Sequence, residues 1–334
     1  MNKVVTFGEV ILRLSPPGNK KMQQTNTLEF YFGGTEMNVA ASLANFGMQV
    51  AHVTNVSNDM VGDAALAFLK QHHIQTQFCN RVPHPLGLYF MEIGAALRSS
   101  KISYNRLHGA FANIQPNEID WEEVFKNCSI FHWTGITPGI SESAYHTLLQ
   151  GLKIAAEKKI TITTDPTYRS NLWKYGKEGK TILKELLQYT TIFIGGIDEI
   201  NLVLNQDFLN TKEDFIKASE ALIAQFPNIQ KIVEKLRSGS SASVQKISAR
   251  AFSTHKYYEA KMLTVENVVD RIGTGDAFAA GIIYALQHFN LGKTLDFAVA
   301  CSALKHTIPG DVNLATVEEV LEICAGNING RIKR

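Results

Sequence analysis

The chain has 334 residues, 45% hydrophobic and 19% charged, which is enough apolar side chain for a sizeable core and excludes wholesale disorder. Its 33 Lys and Arg against 31 Asp and Glu leave a net charge of +2, so it has no globally basic surface for nucleic acid or an anionic membrane, while local anion pockets stay open. At roughly 150 residues per domain, the length fits two domains or one large α/β unit.

The N-terminal run MNKVVTFGEVILRL carries Glu9 and Arg13 among its apolar residues and lacks the form of a signal peptide. Short, often β-branched runs at 4–7, 50–56, 130–134, 160–164, 191–194 and 229–233 predict strands. Between them, 38–46, 61–72, 141–158, 177–188 and 212–225 predict helices, the third opening on a Ser141 cap. This repeated β-then-α order predicts a mostly parallel sheet covered by helices on both faces. Residues 11–32 and 86–106 break the alternation and read as β-hairpin material, either a flap over a site or a decorative second layer. No apolar stretch reaches the roughly 18 residues of a membrane span; 277–286 is the longest and reads as a buried helix. Cys79, Cys128, Cys301 and Cys324 are widely spaced, which argues against zinc or a disulfide framework and fits a reducing cytoplasm.

Three segments carry candidate chemistry. In FGGTEMNVAASLANFG, Gly33 and Gly34 permit close backbone approach, and Glu36 and Asn38 stand at a helix entrance. Capping is the first reading for these two; the Asn38 amide, which donates and accepts, also suits sugar hydroxyls. In TDPTYRSNLW, Asp165, Tyr168 and Arg169 follow a strand, at the edge where open α/β sheets bind ligands. Arg169 offers a fork for carboxylate or phosphate, and the alternative is a simple Asp-Pro turn. In VVDRIGTGDAFAAGIIYAL, the turn Gly273-Thr274-Gly275 runs into an apolar helix whose free amides and dipole suit phosphate. Asp276 there is either a first-turn cap or a proton acceptor beside an anion hole. Two lookalikes fail: Gly292-Lys293-Thr294 has Gln287 where a P-loop needs glycine, and a dinucleotide fingerprint at Gly273 fails at Phe278.

Together, GGTEMNVA, TDPTYRSNLW and DRIGTGDAFAAG resemble, in order and over nearly the whole chain, the ribokinase-like (PfkB) carbohydrate kinases. YRSNLW, GLYF, ISYNR and TGITPGIS look most like the 2-keto-3-deoxygluconate kinases of that family, with parts shared by fructokinases. The resemblance implies a three-layer, Rossmann-like α/β core spanning 1–334 as one kinase domain, with a small β lid formed by about 11–33 and 86–108. It implies ATP and Mg²⁺, a sugar acid substrate phosphorylated on its terminal hydroxyl, and a homodimer through the lid. By the same resemblance Asp276 is the base and Gly273, Thr274 and Gly275 form the anion hole. Gly33, Gly34, Asn38, Tyr89, Tyr104, Arg106, Ile136, Asp165 and Arg169 fall on the sugar site, with Arg106 and Arg169 suited to a carboxylate. Lys235, Arg237, Gly273 and Gly275 fall on the nucleotide, and Glu199 on the metal through water. The family's N-x-x-E reads Gly196-Ile197-Asp198-Glu199 here, and Arg237 and Arg271 replace residues usual in the nucleotide loop and signature. A fructokinase or other hexose kinase, and a non-catalytic sugar-binding pseudokinase, are the alternatives.

Overall fold

The computed structural model describes residues 3–327. Its large sheet has ten strands. Seven run parallel: β1 (Lys3–Phe7), β4 (Val50–Ser57), β5 (Cys79–Val82), β8 (Cys128–Thr134), β9 (Thr161–Asp165), β10 (Ile192–Ile194) and β11 (Lys231–Ser241), in the order β5-β4-β1-β8-β9-β10-β11. The sheet then turns antiparallel through β12 (Val244–Ser253), β13 (Lys256–Glu259) and β14 (Leu263–Val265).

Side chains alternate across a strand, so neighbours in sequence enter different cores. Val4, Ile192, Ile194 and Val233 pack with α1 (Thr35–Asn45), α9 (Thr274–Ala285) and α10 (Leu291–Lys305). Val5, Phe193 and Ile232 pack on the other face with α5 (Glu142–Glu157), α6 (Gly179–Leu187) and α8 (Lys212–Gln225). That is the expected helix–sheet–helix arrangement, and being covered twice explains why these strands read as continuous apolar runs. Helix α2 (Met60–Gln71) and the short helices α3 (Trp121–Val124), α4 (Thr137–Ile140), α7 (Ile197–Leu204) and α11 (Val317–Cys324) complete the layers. Ser141 caps α5 as expected, accepting from the Ala144 amide at 3.1 Å. The strand expected at 229–233 begins at Lys231 and runs on through the Ser- and Gly-rich segment to Ser241, held there by pairing with β12.

The two segments that broke the alternation form a separate four-stranded sheet, β3-β2-β6-β7. β2 (Ile11–Ser15) pairs antiparallel with β3 (Glu29–Gly33), β6 (Gly87–Glu92) pairs antiparallel with β7 (Lys101–Asn105), and β2 and β6 join them in parallel. The longest apolar stretch is the buried helix α9. Among the described residues, no helix is long and apolar enough to cross a membrane.

Candidate active site

The carboxyl ends of β1, β8, β9, β10 and β11 open into a cavity of about 950 Å³. Ile11, Tyr89, Met91, Ile102 and Tyr104 of the small sheet form its roof. The start of α9 enters the same space. Gly273 is the left-handed residue before the helix, with φ at 76°, and a Cβ there would lie 1.8 Å from the Asp311 carbonyl oxygen. Only glycine fits. Thr274, Gly275 and Asp276 line the cavity, where the amides of a first helical turn have no acceptor within the helix.

Asp276 caps nothing: its carboxylate accepts from Asn38 Nδ2 at 2.7 Å, and the start of α9 has no side-chain cap. The capping alternative is therefore set aside. Asn38 is no cap either, because the residue before α1 is Gly34 and the Asn38 amide nitrogen is committed to Asp276. Asn38 lines the same cavity, while its Oδ1 is buried with no protein partner. Burial pushes the Asp276 carboxyl up to about 7; the carboxylates of Asp165 and Glu36 add to this, while Asn38 and Lys235 oppose it.

Glu36 likewise does not cap. It accepts from the Thr134 amide (3.0 Å), Thr134 Oγ1 (2.8 Å), Thr137 Oγ1 (2.7 Å) and Thr35 Oγ1 (2.7 Å), bracing α1 against the ends of β8 and α4. Asp165 Oδ1 accepts from the Thr167 amide at 3.0 Å and from its hydroxyl, so the turn expected at Asp165-Pro166 is real, and the residue also lines the cavity. Arg169 stands exposed at the rim. Tyr168 does not join it; its ring stacks on Trp173, with centroids 5.8 Å apart.

Elsewhere around the cavity, of the residues expected at a sugar site, Gly34, Tyr89, Tyr104, Arg106 and Ile136 line the wall and Gly33 does not. Gly33 backs the wall, with its Cα against the Asp311 carboxylate. The Tyr89 hydroxyl donates to Asp311 Oδ2 at 2.6 Å. Arg106 is ion-paired with the buried Glu9 and lies over the Tyr104 ring, so its charge is already balanced. Glu9, Glu36 and Asp311 had not been expected at the site. Glu9 was signalled by a charge inside an apolar run, whereas nothing in its sequence surroundings marks Asp311.

At the other end, Lys235, Arg237 and Arg271 share one wall. Lys235 Nζ lies 3.8 Å from where a Gly275 Cβ would be, so the absent side chain leaves room for the ammonium. Burial and Arg237 hold Lys235 down to about 8, against the pull of Asp165 and Asp276. Burial, Arg271 and Arg169 lower Arg237 in turn. Like charges gathered on one wall are a receptor for a polyanion. Glu199 accepts from the Gly196 amide at 3.0 Å, a capping contact at the start of α7, and lines the cavity with Asp198. Among the described residues, no group of three or more His, Cys, Asp and Glu side chains is gathered to hold a metal alone. A divalent ion here would take its remaining ligands from phosphate and water.

A helix start with free amides, a buried carboxylate beside it and a cationic wall at the carboxyl edge of a parallel sheet are what an α/β phosphotransferase needs. The model of the pfkB family carbohydrate kinases matches residues 1–316. A 2-dehydro-3-deoxygalactonokinase of Haloferax volcanii is 28% identical over 329 residues, covering 98% of each chain. A 5-dehydro-2-deoxygluconokinase of Clostridium botulinum is 26% identical over 327 residues, covering 96% of this chain and 92% of the relative. The crystal structure of 2-dehydro-3-deoxygluconokinase from Thermotoga maritima has a TM-score of 0.93 and 36% identity, covering 98% of this chain and 100% of that one. The chain belongs to the pfkB family: it is a carbohydrate kinase with the ribokinase-like fold.

Proposed function

We propose that the protein transfers the γ-phosphoryl group of ATP to the terminal hydroxyl of a keto-deoxy sugar acid, with 2-keto-3-deoxygluconate as its substrate. The observation that carries this reading is Asp276: a buried carboxylate held by Asn38, pushed up to about 7, and placed beside the free amides of 273–275. Asp276 takes the proton of the sugar hydroxyl, whose oxygen bonds to the γ-phosphorus as the bond to the β-phosphate oxygen breaks and ADP leaves. The 273–275 amides meet the charge developing on the transferred group. Lys235 and Arg237 hold the phosphate chain. Asp165, Asp198 and Glu199 face that end of the cavity and suit Mg²⁺ held through water. Bound Mg²⁺ neutralises phosphate charge.

The small sheet acts as a lid that keeps water from the sugar end. Tyr89, Tyr104, Gly34, Asn38 and Ile136 line the space for the sugar, and Asn38 also holds Asp276. Arg169 meets the sugar carboxylate. The names of the three relatives described above, each a kinase of a keto-deoxy sugar acid, support this choice. One observation favours a neutral hexose instead: Arg106, the second expected carboxylate partner, is already paired with Glu9.

The lid's outer face supports a homodimer. Phe30, Leu14 and Phe90 form one cross-strand row and Leu88 lies in the next, with Phe30 60% exposed. Four free cysteines suit a reducing cytoplasm.

An ADP-release assay across sugars and sugar acids, with ATP and Mg²⁺, tests the reading. It expects the highest kcat/KM on 2-keto-3-deoxygluconate, and a kcat about 10³-fold lower in Asp276→Asn with sugar affinity little changed. Near-normal turnover in that variant removes Asp276 as the base; a preference for fructose moves the substrate to the neutral class.

A further inference from the structure

Beneath the small sheet lies a buried ionic cluster that the chemistry above does not use. Arg13, on the central strand β2, is fully buried. Its Nη1 donates to Asp270 Oδ2 at 2.7 Å and to Asp311 Oδ1 at 2.9 Å, and its Nε to Ser15 Oγ at 2.9 Å. Both carboxylates frame the turn that opens α9. Asp270 stands just before it and accepts from the Ile272 amide at 3.0 Å and the Gly310 amide at 3.1 Å. Asp311 sets its carbonyl oxygen against Gly273, so closely that no side chain fits between. Asp311 also takes the Tyr89 hydroxyl and abuts Gly33. Three strands of the small sheet thus converge on the residue that backs the glycine turn, and one guanidinium ties that residue to Asp270.

Stability alone is a weak reason for such a cluster. A buried ion pair loses much of its attraction to desolvation, and well-packed apolar side chains often serve the fold as well or better. What the guanidinium offers instead is geometry. It fixes two carboxylates on separate segments at one distance from one strand, and lifting that strand away leaves buried charge unpaired.

We propose that Arg13 is a positioning residue that couples the small sheet to the anion-hole turn, so that the sheet settling over the sugar and the 273–275 amides taking up their catalytic geometry are one event. This rests on the kinase reading of the site. A displacement of about 1 Å at such a turn is enough to cost about 100-fold in rate.

The test uses the full chain with Arg13→Met, which keeps the bulk and removes the charge, and Arg13→Lys, which restores a charge without the fork. ADP release gives kcat and KM for each, and hydrogen exchange followed by mass spectrometry reports the amides of 269–276, 87–92 and 50–57. For Arg13→Met, kcat is expected to fall about 100-fold while the KM for ATP stays within about threefold. Exchange should quicken about tenfold in both 269–276 and 87–92 and stay unchanged in 50–57. Arg13→Lys should recover part of each effect. A kcat near that of the unaltered protein, or a loss of kcat with exchange in 269–276 unchanged, overturns the proposal. Should Arg13→Met not fold, Asp270→Asn is read by the same criteria. Absence of turnover on every sugar in the unaltered protein defeats the kinase reading, while the exchange arm still decides the coupling.

Discussion

Asp276 combines two demands that conflict. Its folded pKa, raised to about 7 chiefly by burial, means that the native site favours the protonated acid. The stability this contributes is complete below the unfolded value of 3.8 and is lost as pH rises through about 7, where the proposed base would act. Asp276→Asn is therefore expected to be more stable than the unaltered protein at pH 8, by about 1–2 kcal/mol, with the gain vanishing near pH 4. Thermal unfolding at the two pH values checks this, and a lower Tm at pH 8 would contradict it. As the proposed base, the same residue is expected to set the acid limb of the rate. kcat/KM should rise with pH to an inflection near 7, and fall again near 8 if the Lys235 ammonium is required. Lys235→Arg, which keeps its charge throughout, should abolish the alkaline fall and keep the acid limb. A profile that stays bell-shaped in that variant would remove Lys235 from the assignment.

Elements place these groups, and the glycine turn before α9 is the one with least tolerance. Gly273→Ala meets both a left-handed φ of 76° and a carbonyl oxygen at 1.8 Å. Gly47, with φ at 83° and nothing within 4 Å, isolates the backbone cost alone. Gly47→Ala should cost about 1 kcal/mol and Gly273→Ala about 3 kcal/mol, with the rate falling only in the latter. Denaturant midpoints and ADP release check both. Equal costs would mean that the Asp311 contact relaxes freely. The parallel strands were legible because burial on both faces leaves runs such as VVTF, and α5 was legible from its Ser141 cap. β5 and β13 were not, since their few polar and aromatic residues pair at sheet edges without an apolar face. At the site, the glycine turn and Asp276 could be read locally. The roles of Asn38, Arg106 and Asp311 could not, because each depends on a partner from a distant part of the chain: Asp276, Glu9 and Tyr89, respectively.

For the whole molecule, the exposed Phe30 and the half-buried Leu14 and Phe90 beside it on the small sheet predict assembly. Phe30→Glu should turn a lid-to-lid dimer into a monomer of 37.0 kDa, as read by light scattering behind size-exclusion chromatography. An unaltered protein that runs as a monomer, or a variant that stays paired, would refute the lid interface. The order of elements and the two departures from β-then-α rhythm announced both sheets, but not which hairpin edges meet. That depends on Ile11 pairing with Gly87 in parallel, a register no local pattern encodes.

The parallel pair at the centre of the small sheet also has a kinetic consequence. Its two strands are separated in the chain by β3, α1, β4, α2 and β5, so the sheet cannot close until that intervening unit has folded and brought its ends together. Neither hairpin alone has the strands needed for independent stability. The roof of the active site is thus expected to be the last part of the protein to form and the first to open, a late foldon resting on an early one, with Arg13, Tyr89 and Arg106 among the contacts through which the finished core receives it.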